Sequence, residues 1–110
     1  MPKDQAFNDY IVNDVLKDIP GITSKSMFGG WSLYLDGVIF GMIIDGELYF
    51  KVSEESKKDF DNRGSRPFTY QGKHKAVTMS YWTLPEEILE NKQELTRWIE
   101  RSTKVKSKNK

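Results

Sequence analysis

The chain has 110 residues, of which 37% are hydrophobic and 30% are charged, a composition typical of one soluble domain. It contains no cysteine, which excludes disulfides, thiolate metal sites and a cysteine nucleophile. The sequence has no apolar run of roughly 18 residues and no signal-peptide core at the N-terminus. These features predict a cytoplasmic protein with no membrane contact.

The charge is unevenly distributed. Residues 101–110 contain five basic side chains and no acid, whereas the first hundred residues contain 12 basic and 16 acidic side chains, a net of −4. We therefore predict a single domain over 1–100 and a flexible basic tail over 101–110. Such a tail either binds nucleic acid, whose phosphates its basic side chains would neutralise, or only keeps the protein soluble.

The first predicted element is a helix over residues 4–17. Its apolar positions recur at i, i+3, i+4 and i+8, and they are Phe7, Tyr10, Ile11 and Val15. Pro20-Gly21 ends this helix. Residues 25–52 then predict three or four short strands, because Asp36-Gly37 and Asp45-Gly46 are strong hairpin turns between apolar runs.

The register of these strands follows from the alternation of side chains between the two faces of a sheet, which makes the odd or even number of residues in each turn decisive (the parity argument). If both Asp-Gly turns were two-residue loops, the apolar positions of the strands that contain Leu33 and Leu48 would fall on opposite faces. One turn must therefore hold an extra residue, and we assign it to Ile44-Asp45-Gly46, with Gly46 in the left-handed conformation. Met42 then pairs with Leu48, and Phe40 with Phe50.

This register leaves an apolar set on the opposite face of the sheet, and its members are Tyr34, Ile39, Ile43 and Tyr49. Such a face is covered by a partner protein or a second copy of the chain, is covered by the first helix, or is exposed. We predict that it is the protein-interaction surface.

The second half predicts a helix, a hairpin and further helices. Ser53 caps a short helix that buries Phe60, residues 67–70 form an edge strand, and residues 76–82 form the next strand. Thr83 and Glu86 fit a capping box, and Asn91 and Glu94 cap a last helix with the buried positions Leu95, Trp98 and Ile99. The fold class is therefore α+β, with an antiparallel sheet of about five to six strands in a two-layer arrangement with N-terminal, middle and C-terminal helices.

Few residues point to catalysis. His74, the one histidine, stands between Lys73 and Lys75, where a solvated loop residue is a better interpretation than a general base. The carboxylates occupy turns and helix starts, and no cluster fits a metal site. Arg63 and Arg66 together could hold an anion. We predict no enzyme activity, no catalytic residue, no cofactor and no metal.

Several phrases resemble the N-terminal domain of the TfoX/Sxy family, and in chain order they are Met27-Phe28-Gly29-Gly30, Leu33-Tyr34-Leu35-Asp36-Gly37, Phe40, the run 45–52, the run 67–70 and the run 79–86. The resemblance covers roughly residues 7–100. It implies an α+β fold with an antiparallel sheet in a cytoplasmic bacterial protein. Members of the family are linked to regulation of competence, the uptake of DNA, as transcriptional regulators or co-regulators. The full-length regulators carry a second, C-terminal domain, so the chain resembles a stand-alone N-terminal domain.

Three hypotheses follow for function. The first is a non-catalytic protein-interaction module in competence regulation that uses the apolar sheet face. The alternative is a direct nucleic-acid-binding protein, and its basic residues would be Lys73, Lys75, Arg101, Lys104, Lys106, Lys108 and Lys110. The third, a small-ligand or hydrolytic protein, needs a pocket that collects Arg63, Arg66 or His74.

Overall fold

The computed structural model describes residues 3–27, 30–71 and 73–104. They form an open six-stranded sheet with helices, which confirms the predicted α+β class. The helical elements are α1 (Lys3–Tyr10), a π-helical segment (Ile11–Val15), α2 (Ser56–Asn62), α3 (Glu86–Leu89) and α4 (Lys92–Thr103). The strands are β1 (Ile22–Met27), β2 (Gly30–Leu35), β3 (Val38–Ile44), β4 (Glu47–Lys51), β5 (Pro67–Gln71) and β6 (Ala76–Thr83).

The strand order is β1-β2-β3-β4-β6-β5, and every pair is antiparallel. The first four strands form a meander, as predicted. The chain then passes through α2 and returns so that β6 pairs with β4 and β5 lies at the edge. Pro67 opens that edge strand, where a residue without an N–H is tolerated.

Both Asp-Gly turns are two-residue loops, so the predicted three-residue loop at Ile44-Asp45-Gly46 is wrong. Leu35 pairs with Val38 and Ile44 pairs with Glu47. Each turn has positive φ at both central residues, 52° and 83° at Asp36 and Gly37, as a type I′ turn requires. The extra residue lies inside β3 instead. Tyr34 pairs with Ile39 but Leu33 pairs with Gly41, which leaves Phe40 in a β-bulge.

The bulge changes which residues enter the core. Ile43 pairs with Leu48 and is 0% exposed, so its predicted place on the opposite face is wrong. Met42 pairs with Tyr49 rather than Leu48. Phe40 and Phe50 do meet, with ring centroids 5.4 Å apart in an edge-to-face arrangement. The register therefore needs one extra residue, as the parity argument requires, but places it in the strand.

All the helical elements contribute side chains to one core on one face of the sheet, called here the inner face. The buried members of that core are Ile11, Leu16, Leu33, Phe40, Ile43, Leu48, Phe50, Val52, Phe60, Ile88, Leu95, Trp98 and Ile99. Phe60 is the predicted anchor of α2, and Leu95, Trp98 and Ile99 are the predicted buried stripe of α4. The structure is thus a sheet with one helical layer, which confirms the two-layer arrangement.

The first helix departs from a regular α-helix at its second half. The Leu16 N–H donates to the Ile11 carbonyl at 2.9 Å, an i→i+5 bond. This wider turn brings Ile11 and Leu16 to the same side, and both are buried. Tyr10, predicted to face the core, is 49% exposed. A 3.6-residue period cannot anticipate this change of spacing.

Two of the predicted helix caps are present and one is not. The Ser53 hydroxyl accepts from the Ser56 N–H at 3.1 Å, and the Asn91 side chain accepts from the Glu94 N–H at 3.2 Å. Thr83 does not cap α3. Its hydroxyl oxygen accepts from the Arg66 N–H at 3.1 Å and so ties the start of β5 to the end of β6.

Helix α4 crosses the predicted boundary between domain and tail. It continues to Thr103, and Ser102 is 2% exposed. The Ser102 hydroxyl donates to the Lys51 carbonyl oxygen at 2.8 Å, which joins the last turn of α4 to the end of β4. Arg101 and Ser102 therefore belong to the folded domain.

Candidate functional site

The face of the sheet away from the helices, called here the outer face, carries a band of tyrosines. Tyr34 lies beside Ile39, Tyr49 lies beside Met42, and Tyr81 lies beside Lys51 across neighbouring strands. Three of the four residues predicted for this surface, Tyr34, Ile39 and Tyr49, are there and are half-buried. The fourth, Ile43, is in the core.

The outer face is packed by its own side chains. Met42 is 4% exposed although its strand neighbours point it away from the helical layer. The ring of Tyr49 meets Phe68 edge-to-face, with centroids 5.3 Å apart, and the hydroxyl oxygens of Ser32 and Tyr34 are 3.3 Å apart. A second, smaller apolar cluster therefore exists outside the main core. Tyr81 and Phe68 belong to it, and neither is among the residues predicted for this surface, because the alternation of side chains along β2, β3 and β4 carries no information about β5 and β6.

Burial shifts the titration of this cluster. Burial, and to a smaller extent the charges of Glu47 and Asp45, raise the pKa of Tyr49, whereas Arg66 acts in the opposite direction. Burial also raises the pKa of Tyr81, with a smaller contribution from Tyr34. Both phenols are thus partly removed from water.

Basic side chains accompany the tyrosines. Strand pairing places Lys25 beside Ser32 and Lys51 beside Tyr81, both on the outer face. Arg66 is close enough to Tyr49 to affect its pKa, and so are two acids, Glu47 on the same face and Asp45 in the turn before β4. These three basic residues and two acids contrast with the acidic balance of the first hundred residues.

A separate cleft of about 470 Å³ lies between α2 and α4. Arg97, Trp98 and Arg101 share one side of α4 at i, i+1 and i+4, and Asp59 and Arg63 come from α2 and the residue after it. The cleft therefore brings Arg63 to two arginines of α4 that follow it by more than thirty residues in the sequence.

Trp98 is the centre of this cleft and is 4% exposed. The guanidinium carbons of Arg63 and Arg101 each lie 5.6 Å from the centroid of the Trp98 ring, within cation–π range. The Trp98 indole N–H donates to Glu94 at 3.1 Å, and its ring packs on Phe60 with centroids 4.6 Å apart.

Each arginine of the cleft is also paired with a carboxylate. Arg101 pairs with Asp59 at 2.8 Å, Arg97 pairs with Glu94 at 3.0 Å, and Arg63 pairs with Glu87. Between a third and three-fifths of each acidic side chain is exposed to solvent. The ion pairs are thus at the surface, whereas the indole beneath them is buried.

The other predicted site residues lie on different elements. Arg63 lines the cleft, but Arg66 does not, and His74 lies with Lys73 and Lys75 in the exposed connection between β5 and β6. Of the three residues that the predicted small-ligand pocket would collect, the cleft thus holds Arg63 and neither of the other two. Of the basic tail, Arg101 is held in α4 and Lys104 is exposed, whereas Lys106, Lys108 and Lys110 lie outside the described residues.

Within 3–27, 30–71 and 73–104, no three His, Cys, Asp or Glu side chains cluster in a way that could hold a metal ion. No helix in the same ranges has the length and apolar character needed to cross a membrane.

The architecture is thus a one-sided α+β domain whose sheet carries an aromatic outer face. Residues 14–105 match the family model described as the TfoX N-terminal domain. The match covers most of the chain, and the protein belongs to the TfoX N-terminal domain family, as its sequence phrases predict.

Two curated relatives are similar to the chain. It is 31% identical to Protein Sxy of Escherichia coli (strain K12) over 88 residues, which are 80% of this chain and 42% of Sxy. It is 28% identical to DNA transformation protein TfoX1 of Aliivibrio fischeri over 71 residues, 64% of this chain and 34% of that protein. The chain thus spans less than half the length of the curated relatives it matches.

Proposed function

We propose that this protein is a non-catalytic regulatory module in DNA transformation, and that it acts by binding another protein through its outer face. Membership of the TfoX N-terminal domain family supports the regulatory assignment, as does the similarity to a protein named for DNA transformation. The matched segments are less than half of each relative, so what the relatives do does not identify the contact surface of this chain. That surface is proposed from the side chains of the chain itself.

The aromatic outer face is the observation that carries the proposal. The described helices pack on the inner face, whereas Tyr34, Tyr49 and Tyr81 lie half-buried on the other side. Tyrosine is enriched at protein interfaces because it combines a large apolar ring with a polar hydroxyl. Tyr49 packs edge-to-face on Phe68 and the Tyr34 hydroxyl lies 3.3 Å from that of Ser32, so these side chains lose little conformational entropy on binding.

The charges around the tyrosines indicate the kind of partner. The basic residues on or beside the outer face, Lys25, Lys51 and Arg66, outnumber the two acids near Tyr49, which are Glu47 and Asp45. A partner with carboxylates around an apolar patch is complementary to this arrangement. Two copies of the chain joined by their outer faces would bring like charges together, so the occupant we propose is a different, acidic protein.

A protein fits the outer face better than a nucleic acid does. Tyr49 packs edge-to-face on Phe68, at an angle of 76° between the rings, so its ring is already engaged. Bases stack on the open faces of aromatic rings. In addition, Arg101, predicted to belong to a flexible basic tail, lies in α4 on the helical side of the domain and so does not contribute to the outer face.

The test compares two tyrosine substitutions in the organism that carries the gene. Deletion of the gene is expected to change transformation frequency, and the wild-type chain to restore it. Tyr49→Glu introduces a charge into the outer face and is expected not to restore it. Tyr10→Glu, at an exposed position on the helical side, is the matched control and is expected to behave as wild type.

Circular dichroism of the purified variants confirms that both fold. If folded Tyr49→Glu restores transformation fully, the outer face is not the contact surface. Light scattering at two concentrations of the wild-type chain identifies the second-copy alternative by a dimer that Tyr49→Glu dissociates. A DNA titration identifies the nucleic-acid alternative by an affinity that falls steeply with salt.

A further inference from the structure

We propose that the cleft between α2 and α4 binds a small molecule through its phosphate group, as a phosphomonoester dianion. This site is on the helical side of the domain, so the inference goes beyond the protein contact proposed for the outer face and is independent of it. Arg63, Arg97 and Arg101 would hold the phosphate.

The donors are suited to this ligand. A guanidinium group offers five N–H donors in a planar fork that matches phosphate bidentately. Each of the three arginines makes its ion pair through a single terminal nitrogen: Arg63 through Nη1, Arg97 through Nη1 and Arg101 through Nη2. Further N–H groups on each side chain are therefore available for a phosphate oxygen.

The present ion pairs are exchangeable. Asp59, Glu87 and Glu94 are partly exposed, and exposed pairs of this kind contribute little to stability. A dianion placed among three guanidinium groups makes several charge-assisted bonds at once, whereas each carboxylate serves one arginine. The stacking of Arg63 and Arg101 on Trp98 keeps two of these donors at the cleft in the absence of ligand.

The surroundings of Trp98 disfavour nucleotides and nucleic acids that would bind by stacking a base on the indole. The indole is nearly fully buried beneath two guanidinium groups and Phe60, so it offers no open face for a nucleobase. The volume of about 470 Å³ is that of a small-ligand pocket. A long polyanion would also approach a domain whose first hundred residues carry a net charge of −4, which disfavours it.

The experiment is calorimetric titration of the full chain with inorganic phosphate at pH 7.5 and constant ionic strength, with sodium chloride as the reference. Arg97→Ala removes the most exposed arginine and is expected to weaken binding about tenfold. Asp59→Asn removes the carboxylate that competes for Arg101 and is expected to tighten binding severalfold. Arg66→Ala, an exposed arginine outside the cleft, is the matched control and should bind as wild type.

The two cleft variants are expected to change phosphate affinity in opposite directions. If these side chains had a purely structural role, phosphate affinity would not differ between the two variants. A sugar phosphate that binds more tightly than inorganic phosphate identifies an organic phosphate as the ligand. The proposal is overturned if phosphate has no effect beyond that of chloride, if Arg66→Ala loses as much affinity as Arg97→Ala, or if a single-stranded oligonucleotide binds the cleft in preference to phosphate.

Discussion

The carbonyl oxygen of Tyr49 lies only 2.6 Å from the point where a β-carbon on Gly41 would stand. Gly41 pairs with Phe50 across β3 and β4, and Cδ1 of the Phe50 ring is 3.2 Å from the same point. Glycine thus leaves room for the Phe50 ring on the inner face, directly after the bulged Phe40. The bulge, the glycine and the two phenyl rings form one packing unit.

We expect Gly41→Ala to lower the free energy of unfolding by about 1–3 kcal/mol, as overpacking of a core does. The added methyl would meet a backbone atom, which cannot move aside as a flexible side chain can. Urea denaturation measures the change. Ser26→Ala, at an exposed position on β1, is the control and should be near neutral. An unchanged midpoint for Gly41→Ala would show that the strands can separate at no cost.

Gly37→Ala tests the type I′ turn without any steric contact. Gly37 has a φ of 83°, and no atom lies within 4 Å of its would-be β-carbon. We expect a loss of about 1–2 kcal/mol from the left-handed backbone alone. Asp36→Asn is the control, since asparagine tolerates the left-handed conformation that Asp36 adopts at 52°. Thermal unfolding of both variants measures the difference, and equal midpoints would contradict this explanation.

The outer face predicts a stability loss at high pH. Burial raises the pKa of Tyr81 above its ordinary value of 10.0, so the folded state keeps this proton after the unfolded chain has lost it. The contribution of protonated Tyr81 to the free energy of unfolding is complete below about pH 10 and is lost as the pH rises through the folded-state pKa. Tyr81→Phe should therefore show a shallower decline in unfolding free energy than wild type between roughly pH 9.5 and 11.5, the interval in which tyrosine titrates. Parallel curves would disprove the burial effect.

Ser102→Ala tests whether the last turn of α4 belongs to the domain. The variant leaves the Lys51 carbonyl without its partner in a buried place, and we expect a loss of about 1–2 kcal/mol. Thr103→Ala is the matched control, because its hydroxyl also bonds a carbonyl at 2.8 Å, but that of Glu100 in the same helix. Chemical denaturation compares them. Equal stabilities would mean that the contact between α4 and β4 contributes nothing.

The register shows how far sequence reasoning reaches. Parity established that one residue must be added between Leu33 and Leu48, and one was. Parity counts residues but does not place them, and the assignment to the second turn was wrong. The two Asp-Gly pairs favour two-residue turns with positive φ at both positions, which leaves β3 as the place for the bulge. This bulge buries Gly41 in the core, where the neighbouring Phe40 and Phe50 rings fill the space that glycine leaves.

The cleft was missed for a different reason. The spacing 94, 97, 98 and 101 does place four polar or aromatic residues on one side of α4, and this signal was present in the sequence. Arg101 was instead counted in a basic tail because it opens a run of lysines. Its neighbour Ser102 is buried, and a small polar residue does not register as a core position in a hydrophobic pattern. The contact of Arg63 with Trp98 joins two helices and could not be read from local spacing.

The open sheet has consequences for how the protein behaves at high concentration. Its end strands, β1 and β5, are where further strands could add and produce fibrous aggregates. β5 contains Pro67, which cannot donate to such a ladder. The middle of β1 consists of Thr23, Ser24, Lys25 and Ser26, which give this edge little apolar surface. The two edge strands thus oppose the addition of further strands in different ways, Pro67 in β5 and polar side chains in β1. A change such as Lys25→Val would weaken this protection in β1.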